Sequence, residues 1–201
     1  ECAPRQMTLP KVDDFSPVFN RRFIFDGFVT GVCNEFAAAA ARAMARGQRM
    51  LTNTLFLFSS TGLGKSHLTQ AVGQHVVNSD PGQRVAYLTA EDFANQMVSA
   101  LRKKRIQEFK DRFRRTCDVL LLEEVQFLAG KDKIQDELGY TLDALLDADK
   151  RVIFTGSCMP TRIKGLKSGL ASRLSAGVTA PIDPPDQATR LGILKRMAQD
   201  E

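Results

Sequence analysis

The stretch "LFLFSSTGLGKSHL", Leu55 to Leu68, decides the fold. An apolar run passes through a glycine-containing loop into helical spacing, the order of a strand feeding a phosphate-binding loop. Such a loop needs glycines because consecutive backbone N–H groups curl around an anion, where a Cβ would obstruct the turn or the ligand. A lysine must reach the terminal phosphates, and a hydroxyl must meet Mg²⁺ at the start of a helix whose N-terminus adds partial positive charge. The segment supplies Thr61, Gly62, Leu63, Gly64, Lys65 and Ser66, with His67 following. The strict pattern GxxxxGK[ST] would place its first glycine at 59, where this chain has Ser59, followed by Ser60. If that position requires positive φ, serine costs on the order of 1 kcal/mol and loosens the loop without removing its amides.

Outward from the loop, short apolar runs alternate with helical patterns. Leu55–Phe58, Val85–Leu88, Val119–Leu122, Val152–Thr155 and Val178–Ala180 read as strands covered on both faces. Between them "GKSHLTQAVGQHVVN", "EDFANQMVSALRKK" and "IQDELGYTLDALLDAD" have helical spacing. An alanine-rich helix precedes the loop, with Asn34 expected to cap its start and Gly47 to close its end. Strand–helix alternation predicts an α/β fold, a three-layer core around a parallel five-stranded sheet. Residues 1–22 read as an arm draped on the domain and 23–185 as the core. Residues 186–201 read as the start of a further helical segment.

A chain of 201 residues, 43% hydrophobic and 25% charged, holds enough apolar material for one core. Cys2, Cys33, Cys117 and Cys158 lack CxxC spacing and read as reduced core thiols. His67 and His75 have no ligand partners at metal spacing. No run approaches the ~18 to 20 apolar residues of a membrane span, and the first ten residues lack a secretory apolar stretch, so a cytosolic location is expected. The chain starts without methionine and stops inside helical spacing at Glu201, so both ends are expected to continue in a longer protein.

The net charge of +5 is unevenly spread, because residues 102–115, "RKKRIQEFKDRFRR", carry eight Lys/Arg against Glu108 and Asp111. Ile106, Phe109 and Phe113 fall on one face of a helix there. Two readings stand: a solvated amphipathic helix, or a salt-dependent contact with DNA phosphates.

A second chemical element is "CDVLLLEEVQFL", an apolar strand ending in Glu123 and Glu124. A carboxylate there orients Mg²⁺ while its neighbour polarises the attacking water.

With these motifs in place, the chain resembles the AAA+ ATPases, and more narrowly the DnaA family of bacterial replication initiators, over residues 20 to 200. The resemblance is carried by "RFIFDGFVTGVCNEFAAAAARAMA", the loop itself, "YLTAEDFANQMVSALRKKRIQEFKDRFR", "DVLLLEEVQFLAGKDKIQDELGYTLDALLDADKRVIFTGS", "GLASRL" and "IDPPDQATRLGIL". It implies a P-loop core binding ATP or ADP with Mg²⁺, Lys65 and Ser66 meeting triphosphate and metal. Glu123 and Glu124 match the paired Walker B acids, and Arg173 matches the finger that reaches a neighbouring subunit's nucleotide in a filament. Val29, Gly31 and Asn34 match the adenine-facing loop. Val98, Arg102, Lys103 and Lys133 match a surface that faces single-stranded DNA. Residues 186–201 would begin the family's helical lid, and origin DNA and a replicative helicase are the implied partners.

Departures concentrate at the nucleotide. The family has two glycines at 59 and 60, two aspartates where this chain has Glu123 and Glu124, an aspartate where it has Ser157 and an arginine where it has Gly169. A longer acid displaces the ion or its water by about one C–C bond, so hydrolysis is expected to suffer more than binding. Two functions follow from the resemblance: a nucleotide-gated initiator with slow or weakened hydrolysis, or a non-catalytic regulator or helicase loader acting through protein contacts.

Overall fold

The computed structural model describes residues 17–47 and 52–199. Helix α1 is Glu35–Ala45, followed by strand β1, Thr54–Phe58, and helix α2, Lys65–Ser79. Next come β2, Val85–Thr89, α3, Ala90–Arg102, and the short α4, Ile106–Asp111. The order ends with β3, Val119–Glu123, α5, Asp132–Asp147, β4, Arg151–Gly156, α6, Ser168–Ser175, β5, Val178–Pro181, and α7, Gln187–Gln199. The five strands form one sheet in the order β2-β3-β4-β1-β5, with every pair parallel.

Alternation of side chains along each strand divides the core in two. Phe56, Leu120, Leu122, Val152 and Phe154 point into one cluster, which Phe93, Phe113 and Leu138 complete. Leu55, Leu57, Leu121 and Ile153 point to the opposite face, where Ala37, Ala41 and Leu68 meet them. Helices α1 and α2 cover the second face, and α3, α5 and α6 the first. This is the three-layer α/β arrangement anticipated from the strand–helix alternation. The parallel register aligns Phe58 with Gly156 and Thr89 with Glu123, so the loops leaving β1, β3 and β4 open along one edge.

Three local expectations are corrected. Asn34 stands at the N-cap of α1 but makes no side-chain cap bond. Its Oδ1 accepts from the Gly31 N–H at 2.9 Å and its Nδ2 donates to the Val29 carbonyl at 3.1 Å, folding the preceding turn instead. The condition placed on Ser59 is not met, since neither Ser59 nor Ser60 has positive φ. The left-handed positions are Gly62, at φ 84°, and Gly64, at φ 100°.

The basic segment is also not one helix. α3 stops at Arg102, Lys104 turns the chain at φ 57°, and α4 passes into a π-helical turn over Arg112–Thr116. The break lets the apolar residues reach the core: Phe93, Phe109 and Phe113 form a mutual cluster with ring centroids 5.0–5.2 Å apart. Such contacts add about 0.5–1.5 kcal/mol each beyond burial.

Cys33, Cys117 and Cys158 are free thiols, Cys117 buried and the others half-buried, while Cys2 lies outside the described residues. Burial pushes the Cys117 thiol up to about 12. Residues 1–16 of the expected arm also lie outside the described residues. At 17–22 the chain packs on α2, with the Asn20 N–H donating to Gln70 Oε1 at 2.8 Å. Among the described residues no helix is long and apolar enough to cross a membrane.

Truncating a fully buried aromatic leaves a cavity that the sheet cannot collapse to fill. Phe113→Ala is expected to destabilise the domain by about 3–5 kcal/mol in urea titrations followed by circular dichroism.

Candidate functional site

Strand β1 ends at Phe58 and the loop 59–64 returns the chain into α2, whose first residue is Lys65. Gly64 caps this helix with backbone at φ 100°, ψ 12°, and a Cβ there would lie 2.9 Å from Phe28 Cε2. Both conformation and space therefore require glycine. Lys65 is buried, and its Nζ donates to the Ser59 carbonyl at 3.0 Å and the Ser60 carbonyl at 3.1 Å. The Ser59 hydroxyl lies 3.4 Å from the same nitrogen. A serine at 59 thus adds a polar neighbour to the lysine without backbone strain.

One helical position further, Ser66 Oγ donates to Glu123 Oε2 at 2.6 Å. Glu123 is 5% exposed, and its other oxygen, Oε1, is buried with no hydrogen-bond partner. Desolvation holds its carboxyl above the usual range, assisted by the Glu124 charge and opposed by Ser66, Tyr87 and Lys65. An orphaned carboxylate oxygen beside a hydroxyl fits a hard divalent cation such as Mg²⁺, which takes oxygen donors.

Glu124 follows in the left-handed region at φ 59°, ψ 50°, which for a non-glycine costs on the order of 1 kcal/mol or more. Its N–H donates to Thr155 Oγ1 at 3.0 Å, tying β3 to β4. Gln126 Nε2 donates to Glu124 Oε2, and Gln126 Oε1 accepts from the Ser157 N–H at 3.2 Å. Sequence reasoning missed Thr155 and Gln126. The one available signal was a carboxamide in the otherwise apolar "VQFL" after the two acids.

A cavity of about 400 Å³ opens on the other side of the loop, lined by Phe28, Val29, Asn34, Gly62, Gly64 and His67 among others. The α7 helix closes one side: a Cβ on Gly31 would lie 2.0 Å from Thr189 Oγ1, which is why that position tolerates no side chain. His67 stacks on Phe23 at 4.9 Å and meets Phe28 edge-on at 5.2 Å. Burial lowers its pKa below the ordinary histidine value, against the Ile24 carbonyl 2.8 Å from Nε2. Thr61 is exposed at the loop's outer turn and Leu63 packs back onto the α1–α2 layer.

A match to the sequence model of the bacterial DnaA ATPase domain covers residues 19–181. The chain belongs to the DnaA family. It is 46% identical over 203 residues to the chromosomal replication initiator protein DnaA of Desulfatibacillum aliphaticivorans, an alignment covering 98% of this chain and 45% of that relative. The chain therefore spans less than half the length of this DnaA relative. Domain III of Thermotoga maritima DnaA superposes with a TM-score of 0.88 at 35% identity, covering 92% of this chain and 76% of that one. A replication initiator DnaA bound to AMPPCP and single-stranded DNA superposes at 0.83 with 31% identity, covering 92% and 56% of the two chains.

The remaining positions matched to DnaA motifs sit away from the loop. Arg173 on α6 pairs with Asp143 on α5 through two bonds of 2.7 and 2.9 Å, both side chains being about half exposed. Such a pair is worth at most about 1 kcal/mol and exchanges readily. Val98, Arg102, Lys103 and Lys133 are exposed on or next to α3 and on α5, helices that both pack against the turn Val125–Leu128. Five further cations of the basic segment are engaged within the chain: Lys110 and Arg114 pair with the buried Glu137, Arg115 with Asp111, Arg112 with Gln96 and Arg105 with Glu108.

The raised Glu123 carboxyl sets a sign for pH dependence. In the metal-free protein, stability from this group is full below its unfolded value near 4.5 and is lost as pH rises through the folded value. Glu123→Gln is expected to flatten this loss, so that the variant gains stability over the parent as pH rises, measured by denaturant midpoints between pH 4 and 8.

Proposed function

We propose that this chain is the nucleotide-binding domain of a DnaA-type replication initiator, binding ATP or ADP with Mg²⁺ and using the bound nucleotide to gate self-assembly on origin DNA. The Ser66–Glu123 bond beside the buried Lys65 carries this reading, because it brings a hydroxyl, an orphaned carboxylate oxygen and an ammonium group to the mouth of one glycine loop. The relative bound to AMPPCP and single-stranded DNA supports the same ligand classes here.

The loop amides from Thr61 to Gly64 would cradle the phosphates while Lys65 leaves the Ser59 and Ser60 carbonyls for them. Ser66 and Glu123 would hold Mg²⁺, which when bound neutralises phosphate charge. The cavity beside Val29, Gly31, Asn34 and His67 takes the base. In hydrolysis a water oxygen would bond to the terminal phosphorus as the bond to the ADP oxygen breaks, Glu124 accepting the water's proton. Arg173, released from Asp143, would reach the neighbouring subunit's nucleotide, since a guanidinium exchanges one bidentate anion for another.

Single-stranded DNA would run across the exposed Val98, Arg102, Lys103 and Lys133. On the same reading residues 23–185 are the nucleotide-binding core, preceded by an arm of which 17–22 are described and followed from 186 by the start of a helical lid, described to 199. A replicative helicase and a cytoplasmic location belong to the same reading.

Lys65→Ala in the complete natural chain is expected to weaken ATP and ADP binding at least tenfold, read by titration with a fluorescent nucleotide while the circular dichroism spectrum is unchanged. Absence of nucleotide uptake by the unsubstituted chain at millimolar ATP would overturn the proposal. Arg173→Ala is expected to leave that affinity within about twofold and abolish ATP-dependent assembly in light scattering. Arg102→Glu with Lys103→Glu is expected to weaken single-stranded DNA binding and reduce the slope of log affinity against log salt by about one to two.

A further inference from the structure

The Walker B pair and the tip of β4 are joined by a side chain to which none of the motifs above assigns a role. Gln126 lies in the turn Val125–Leu128, half-buried, immediately beyond the two acids. It donates through Nε2 to Glu124 Oε2 and accepts through Oε1 from the Ser157 N–H. Only this orientation of the carboxamide satisfies both neighbours: a carboxylate oxygen can only accept and a backbone N–H can only donate. The bridge is therefore chemically directional.

Glu124 needs such a bridge. Its backbone is in the left-handed region, anchored by one N–H to Thr155 Oγ1, and that anchor does nothing to fix the carboxylate. Ser157 is exposed and too short to reach across, while its backbone is fixed at the end of β4. Gln126 spans the gap from the other direction.

We propose that Gln126 is the positioning residue for Glu124, holding its carboxylate in register with the tip of β4 so that it meets the attacking water. This rests on the ATP-hydrolysing reading above and goes beyond it by naming the group that orients the proton acceptor. A proton acceptor free to rotate loses the alignment that general-base catalysis needs, and removal of its clamp costs turnover without affecting nucleotide capture. Gln126 does not line the cavity beside the loop.

The test compares single-turnover ATP hydrolysis and ATP affinity in the complete natural chain and three variants. Gln126→Ala is expected to lower the hydrolysis rate about tenfold while the Kd for ATP stays within twofold and the melting temperature is unchanged. Gln126→Asn, which keeps the carboxamide but falls one carbon short, is expected to behave like the alanine variant.

Gln126→Glu keeps the length but replaces the donor with a second carboxylate facing Glu124. The other charged groups at this strand edge, Glu123 and Lys65, are untouched. Without the donor the bridge cannot form, so this variant is expected to turn over about as slowly as the alanine variant while the Kd for ATP stays within about twofold. Hydrolysis rates within twofold of the parent in all three variants, or a faster Gln126→Ala enzyme, would overturn the assignment. An unsubstituted chain that binds ATP without turning it over would instead sink the hydrolytic reading and the clamp with it.

Discussion

The hydrogen bond from Ser66 Oγ to Glu123 Oε2 fixes how a loop and a strand from separate parts of the sequence meet. Ser66 owes its place to Gly64, whose left-handed backbone starts α2 at the end of β1. Glu123 owes its place to β3, an entirely buried strand lying between β2 and β4. Because β4 in turn lies beside β1, the loop and the acid emerge on one edge only when the whole parallel register is correct. The carboxylate is held there against desolvation, so the sheet's apolar packing supplies the energy that keeps a charged group out of water. Burial of each large side chain, on the order of 1.5–3 kcal/mol, is what that packing consists of.

Strands buried on both faces were readable because their apolar runs are short, rich in Leu, Val, Ile and Phe, and bounded by turn residues. Glu123 and Glu124 were readable for the converse reason: charge at the end of such a run has few purposes. Less could be read where the backbone departs from its nearest regular form. Nothing in "RKKRIQEF" announces that Lys104 adopts positive φ, and helical spacing alone cannot separate one long helix from α4 and a π-helical turn that bring Phe109 and Phe113 to the same core. Asn34 was placed correctly and given the wrong task, since an amide at a helix start can bond forward or backward and here the Gly31 turn wins. At Ser59 the missing glycine suggested strain, but the left-handed turns fall at 62 and 64.

Charged groups in this domain fall into two energetic kinds. Glu137 is buried and takes both Lys110 and Arg114, which are partly exposed, so the basic segment is tied to α5 through a carboxylate largely withdrawn from water. Arg173 with Asp143, and Arg105 with Glu108, are exposed and screened. The first kind sets the shape of the surface and the second leaves it free to change partners. The aromatic cluster beneath, Phe93 with Phe109 and Phe113, lets exposed lysines and arginines differ without disturbing the helices that carry them.

The ammonium of Lys65 already has carbonyl company at Ser59 and Ser60 before any anion arrives. A ligand that took the lysine would have to replace both contacts. On the proposed reading a loop wired in this way would discriminate by length, favouring a chain of phosphates that meets the amides, the lysine and the serine together over a single small anion.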